Sequence, residues 1–302
     1  MMTEFEHVNP EFREEARQPA EERIQRVRVE RWITYPRAEF VLSRLSELLT
    51  YPPRDRMPCL LLFGATGIGK TKIIRKFIRD HPFRFEVRTG ITTAPVITMQ
   101  MPPEPDEKSF YEELLSALQA PVKHGHTAGQ LRRSCRDLMG FMGARMLVID
   151  EVHSLLAGTY RQQRVMLNTL RFLANDLRIP LVCAGTADAK RALMTDQQLA
   201  DRFEAAELSP WRNDEPFCRF LATYQAMLPL RKRSDLLAAP VRQSIIDLSE
   251  GITVRIVRLI ESLAIEAIRS GKEKIDEESL STIPFPAPLL SMTESKESPT
   301  LT

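Results

Sequence analysis

Short, mainly apolar runs of strand length punctuate the first two thirds of the chain. They are Cys59-Leu60-Leu61-Leu62-Phe63, Ala94 to Met101, Met146 to Ile149, Leu181 to Ala184, and a weaker run from Ala206 to Leu208. Between them apolar residues recur at helical spacing over 70–80, 107–119, 128–142, 161–177 and 188–202. Strand-length runs with no polar face need cover on both sides, so this alternation predicts an α/β fold with a five-stranded parallel sheet and helices on both faces. Right-handed crossovers then restrict the topology.

The flanks read differently. Residues 1 to about 20 are polar and broken by prolines, which predicts an arm or loosely ordered segment; helices follow over 21–31 and 38–49, separated by the turn Trp32 to Pro36. After Pro210 the strand pattern stops, and residues 214–281 are helical in pattern, including an amphipathic stretch over 253–269. The expected domains are therefore an N-terminal arm with helices over 1–55, an α/β domain over 56–210, a helical lid over 211–283, and a disordered Pro/Ser/Thr-rich tail over 284–302.

Composition narrows this picture only a little. The 302 residues are 43% hydrophobic, enough for one large core and a smaller satellite. A net charge of +2 gives no overall electrostatic pull toward nucleic acid, so any basic surface has to be local. The 4 cysteines form no C-x-x-C pair and read as small apolar residues in a reducing compartment. No run has membrane-spanning length, and the acidic N-terminus is unlike a signal peptide, so a cytoplasmic protein without a membrane partner is expected.

The strongest chemical signal is Gly64-Ala65-Thr66-Gly67-Ile68-Gly69-Lys70-Thr71, which matches G-x-x-x-x-G-K-[ST]. Glycines let the backbone curl so that successive N–H groups face phosphate oxygens. Lys70 supplies a cation for the β- and γ-phosphates, and the Thr71 hydroxyl is a ligand for Mg²⁺. The motif follows a strand and opens a helix whose N-terminal dipole favours an anion. ATP and Mg²⁺ are the expected cofactors, and an ATPase, slow and regulatory in turnover, is the expected activity.

Met146 to Ile149 runs into Asp150 and Glu151. An acid ending an apolar strand is where a P-loop enzyme steadies its magnesium, here Asp150, and Glu151 would polarise the attacking water. Thr186, after the next strand, reads equally as a hydroxyl between Asp150 and the γ-phosphate or as a turn residue. Arg202 ends a helix before the fifth strand. There it is badly placed for its own loop and well placed for the nucleotide of a neighbouring subunit, the alternative being a salt-bridged surface arginine. Arg255 reads as a second phosphate sensor or as an ordinary helix-surface arginine. His153 reads as a packing or locally hydrogen-bonded residue with no catalytic task.

In this order, P-loop, strand–Asp–Glu, polar strand end, helix-terminal Arg-Phe and helical lid, the chain resembles the AAA+ ATPases over about residues 30 to 280. The stretches Glu21 to Arg28, Arg31 to Ala38 and Arg171 to Val182 look like the TniB family, the ATP-binding proteins of bacterial transposons, which are similar to the TnsC regulators. The resemblance implies an ATP-dependent regulator of DNA transposition that oligomerises on target DNA as a ring or helical filament. It also implies recruitment of a TniA-like transposase and a TniQ-like partner. By position, Gly64, Gly69, Lys70 and Thr71 match the nucleotide loop, Asp150 and Glu151 the acidic pair, and Arg202 the subunit-bridging arginine. Ile33 and Tyr35 fall in the stretch that packs near the adenine, whereas Arg255 is offset by one residue from the related Gly-x-x-Arg. The competing reading is a helicase-loader or chaperone-like AAA+ ATPase acting on protein partners.

Such a regulator needs cations that track a duplex. Lys123, Arg132, Arg133, Arg161 and Arg164 are the candidates, and the lack of aromatic interleaving predicts binding of double-stranded DNA without base readout.

Overall fold

A computed structural model describes residues 5–122 and 125–282. In chain order the elements are α1 (Arg13–Arg17), α2 (Ala20–Arg28), α3 (Pro36–Thr50), β1 (Cys59–Gly64), α4 (Lys70–Asp80), β2 (Arg84–Glu86), β3 (Ile91–Thr93), β4 (Val96–Gln100), α5 (Glu107–Ala117), α6 (Ala128–Phe141) and β5 (Met146–Asp150). They continue as α7 (Tyr160–Leu177), β6 (Leu181–Gly185), α8 (Ala187–Met194), α9 (Gln197–Ala200), β7 (Phe203–Leu208), α10 (Glu215–Met227), α11 (Ala239–Ser249), α12 (Thr253–Arg269) and α13 (Glu277–Thr282). Short 3-10 turns precede α1 and follow β5.

Residues 37–209 form one compact unit. Its main sheet has the order β4-β5-β6-β1-β7, with every neighbouring pair parallel. Period-two geometry sorts the apolar strands between two faces. Cys59, Leu61 and Phe63 join Ile97, Leu147 and Leu181 in one core that also takes Phe110 of α5, Leu131 of α6 and Leu170 of α7. Leu60 and Leu62 point the other way and are equally buried, on the side where α4 packs against β1 and β6. Sheet order places β1 between β6 and β7, so the loop leaving β1 emerges at the sheet's C-terminal edge with a strand on either side. This is the expected sheet.

Three local differences have clear causes. The hairpin β2–β3 was not foreseen: its strands are three residues long, and β2 is exposed at every position. The single helix expected over 188–202 is split into α8 and α9. The Asp196 carboxylate accepts from the backbone N–H of Leu199 at 3.0 Å and starts a new helix instead of continuing the old one. The last strand begins at Phe203 rather than Ala206, and its charged Glu204 and Glu207 suit an edge.

Among the described residues the second unit joins 5–36 to 210–282, so the expected N-terminal segment over 1–55 divides at 36. Nor do its first described residues behave as a loose arm. Val8 and Ala16 are buried, and the Asn9 N–H donates to the carbonyl of Ala226 at 2.8 Å. Arg23 of α2, 2% exposed, is bidentate to Glu273, both bonds 2.7 Å, and also donates to the Pro229 carbonyl. The tail expected to be disordered, 284–302, lies outside the described residues.

The buried pair makes stability pH-dependent. Burial alone pushes the Glu273 carboxyl up, but hydrogen bonds from Arg23 and the Arg231 backbone outweigh it and hold the group below its ordinary value of 4.5. A depressed carboxylate contributes fully above that value and loses its contribution as pH falls below it. Glu273→Gln strands a buried guanidinium and is expected to cost about 3–5 kcal/mol near neutral pH. Its melting temperature should also vary less with acidification than that of the native chain, as measured by calorimetry across the acid range.

Candidate functional site

The phosphate-binding motif occupies the turn from β1 into α4. At Gly64 an added Cβ would lie 2.3 Å from the Leu208 carbonyl oxygen of β7, so no larger residue fits. Gly69, at φ 113°, takes the N-cap of α4 in a conformation that side chains disfavour. Ile68 is buried and anchors the loop from below. Lys70 is the first residue of α4, 6% exposed, with Nζ donating to the carbonyls of Gly64 and Ala65, each at 2.9 Å. Burial lowers its pKa, while Glu151 and Asp150 act to raise it.

At the end of neighbouring β5, Asp150 is 5% exposed and faces the same point. Its Oδ2 accepts from Thr71 Oγ1 at 2.7 Å, and its Oδ1 accepts from the Glu151 N–H at 2.9 Å. Glu151 has φ 59° and ψ 33°, a left-handed conformation that costs a non-glycine residue about 1–2 kcal/mol. That kink turns the chain out of the strand directly behind the carboxylate. Strain of this kind is held where the surroundings over-determine it. His153 supplies part of that surrounding: its Nε2 lies 3.1 Å from Glu151 Oε2. An added Cβ at Gly185 would lie 2.7 Å from the Ala189 Cβ of α8 and 3.3 Å from His153 N and Nδ1, so a glycine ends β6 where α8 and the histidine pack close. The local contact expected for His153 therefore falls on the carboxylate next to Asp150. The spacing Glu-x-His was the only available signal, and it acquires meaning once Glu151 is known to turn.

Thr186, following β6, has a buried hydroxyl with no hydrogen-bond partner among the described residues. Because β6 lies between β5 and β1, this hydroxyl shares the sheet edge with the acidic pair and the loop. Lys70, Thr71, Asp150, Glu151 and Thr186 thus come together at one edge. Hard oxygens from Thr71 and Asp150 set side by side suit Mg²⁺, which takes one or two protein ligands and completes its shell with phosphate and water.

The remaining expected residues lie elsewhere. Arg202 immediately precedes β7 and gives its backbone carbonyl to the Cys59 N–H at the start of β1. It is therefore at the N-terminal end of the strands, a full strand from its own loop. Ile33 and Tyr35 are buried in the other unit, where Tyr35 packs edge-on against Trp211 with ring centroids 5.0 Å apart. In that unit too, Arg255 near the start of α12 pairs with Glu250 at 2.6 Å. Arg132 and Arg133 are exposed on α6, and Arg161 and Arg164 on α7. Arg132 stacks on Phe172 at 4.9 Å and Arg164 on Tyr160 at 5.7 Å. Lys123 lies outside the described residues.

Three of the cysteines, Cys59, Cys135 and Cys183, are buried free thiols; desolvation pushes Cys59 up to about 11. Among the described residues no helix is long and apolar enough to cross a membrane.

A parallel sheet with this strand order, a P-loop after β1 between β6 and β7, and an acidic pair at the end of β5 defines an AAA+ fold. Solved structures agree at the level of fold. The chain is similar to the Cdc6 protein of Pyrobaculum aerophilum (TM-score 0.60, 19% identity, 84% of this chain and 68% of that one). It is also similar to the Aeropyrum pernix ORC2 protein in its ADPNP–ADP complexes (0.58, 15%, 85% and 70%). A third similar structure is the A. pernix ORC1 protein in complex with DNA (0.58, 17%, 83% and 65%). No curated protein gives a significant match. The bacterial TniB protein family matches residues 23–213, and the chain belongs to that family.

Proposed function

We propose that the protein is an ATP-dependent, DNA-binding AAA+ regulator of DNA transposition. It hydrolyses ATP, assembles on target DNA in the cytoplasm, and recruits a TniA-like transposase and a TniQ-like protein. The observation that carries the ATPase part is the 2.7 Å contact between Thr71 and Asp150, which brings the end of the phosphate loop to the acidic strand end. Membership of the TniB family supports the role in transposition. The structure of ORC1 in complex with DNA shows that this fold can sit on a duplex in another protein.

In this reading the backbone N–H groups of the loop and Lys70 bind the triphosphate, and Thr71 and Asp150 hold the metal. Bound Mg²⁺ would neutralise charge developing on the phosphates. Glu151, oriented by His153, takes a proton from the attacking water, and the Thr186 hydroxyl helps to position that water. Arg132, Arg133, Arg161 and Arg164, repeated around an oligomer, would follow the DNA backbone without reading bases.

The test combines purified protein with duplex DNA and a non-hydrolysable ATP analogue, viewed by electron microscopy and sedimentation. Assembly should require both ligands. If subunits together neutralise 6–10 phosphates, affinity should fall by roughly 10³–10⁵ between 50 and 200 mM salt. Failure to assemble on DNA at low salt removes the transposition reading and leaves an ATPase acting on protein partners.

A further inference from the structure

A pocket of about 230 Å³ opens among α5, α6 and α7, with Tyr111, Arg132, Val165, Asn168 and Phe172 in its lining. Tyr111 is fully buried, and its hydroxyl has no hydrogen-bond partner among the described residues. A buried hydroxyl left unpaired is costly and calls for a ligand that completes it. Two more lining residues have donors to spare. Arg132 makes no ion pair among the described residues, its guanidinium lying 4.9 Å over the Phe172 ring. Asn168 Oδ1 already accepts from Arg171 at 2.7 Å, which leaves its amide N–H groups free. The carboxylate of the lining, Glu107, is the first residue of α5, where the helix dipole favours it. Val165 and Phe172 stand two turns apart on α7 and are 40% and 42% exposed, so the pocket has an apolar wall as well as surplus donors.

We infer that this pocket receives the proline-rich segment Ile283 to Leu290 of a second copy of the chain. That segment, Ile-Pro-Phe-Pro-Ala-Pro-Leu-Leu, lies outside the described residues, and its chemistry complements the lining. Pro284, Pro286 and Pro288 have no backbone N–H, so the stretch is rich in carbonyl acceptors, and Phe285, Leu289 and Leu290 supply apolar anchors. Proline at alternate positions favours an extended backbone, which binds with little loss of conformational freedom. Aromatic-lined grooves take proline-rich segments for this reason. The volume suits one anchoring side chain, since drug-sized ligands need roughly 300–1,000 Å³. Charge agrees as well. Glu294 and Glu297 follow the segment, while Arg161, one turn before Val165 on α7, is exposed and makes no ion pair among the described residues. A duplex would use Arg132 but leave Val165 and Phe172 without a partner. No nucleotide takes part, so this contact stands apart from the ATPase site.

The probe is a fluorescently labelled synthetic peptide of residues 283–297. It is titrated into full-length protein carrying Phe285→Ser and Leu289→Ser, whose own segment no longer competes. Anisotropy should show saturable binding, and the same peptide with both serines should not bind. Adding Tyr111→Phe to the protein should weaken binding by roughly threefold to tenfold, the worth of one hydrogen bond. Its melting temperature should hold or rise, because an unpaired buried hydroxyl is removed. Phe172→Ala should weaken binding by about tenfold, as loss of an aromatic anchor does. Sedimentation of the native chain without nucleotide should show association with rising concentration, and the Phe285→Ser, Leu289→Ser chain should lack it. Absence of saturable binding overturns the inference, as does binding that both pocket variants leave unchanged. A native chain that stays monomeric at every concentration, or associates regardless of the two serines, also overturns it. If the pocket variants lose affinity for duplex DNA and keep the peptide, the pocket is a DNA contact and the inference fails. Should Phe172→Ala not fold, Tyr111→Phe carries the comparison alone.

Discussion

Lys70→Ala is expected to remove measurable MgATP binding. In the structure its ammonium is buried at the mouth of the loop and donates to the carbonyls of Gly64 and Ala65, two weak neutral acceptors for a desolvated cation. Exchanging these for β- and γ-phosphate oxygens gains charge-assisted bonds of about 1.5–3 kcal/mol each. Two such bonds correspond to a loss of roughly 10²–10⁴ in affinity when the side chain is truncated. The fold should survive, because the loop is shaped by Gly64, Ile68 and Gly69, not by the lysine. Titration calorimetry with MgATP and a melting curve on the same sample check both halves. A variant that melts normally but binds ATP within a few-fold of the native protein would show that the loop does not hold the triphosphate through Lys70.

The sheet and its edge chemistry were legible in the sequence because both are written locally. Four mainly apolar runs of strand length alternating with helical patterns point to strands covered on both faces, and the eight residues from Gly64 to Thr71 state their own geometry. Asp150 and Glu151 follow from their place after one of those runs. What was not legible depends on contacts distant in sequence or on backbone conformations that composition does not encode. Arg23 finds Glu273 across 250 positions, which is why a polar N-terminal stretch folds with the C-terminal helices instead of trailing as an arm. His153 comes within 3.1 Å of the Glu151 carboxylate at a residue that adopts positive φ, a choice no periodicity reveals. Short-range signals gave the scaffold, and long-range packing decided what surrounds each end of it.

Arg202→Ala is expected to leave MgATP binding by isolated subunits intact and to reduce turnover by roughly 10³–10⁵, the range known for arginines supplied in trans to P-loop sites. The geometry that separates this residue from its own nucleotide makes the prediction sharp. The Arg202 carbonyl accepts from the Cys59 N–H at the first position of β1, whereas the phosphate loop begins at the last, Gly64. An arginine at that end contributes nothing to a nucleotide in its own subunit and is free to act on the next. It makes no ion pair among the described residues, as a surface arginine serving only stability would. Steady-state ATPase assays on Arg202→Ala, on Glu151→Gln and on their mixture separate the alternatives. Each variant alone should be nearly inactive. The mixture should recover activity at interfaces where a subunit with intact Glu151 faces one with intact Arg202, up to about a quarter of native turnover for random pairing of equal amounts in a head-to-tail assembly. Unchanged turnover in Arg202→Ala would assign this arginine to the surface. An inactive variant without recovery on mixing would place its role inside its own subunit, against the strand-length separation seen here.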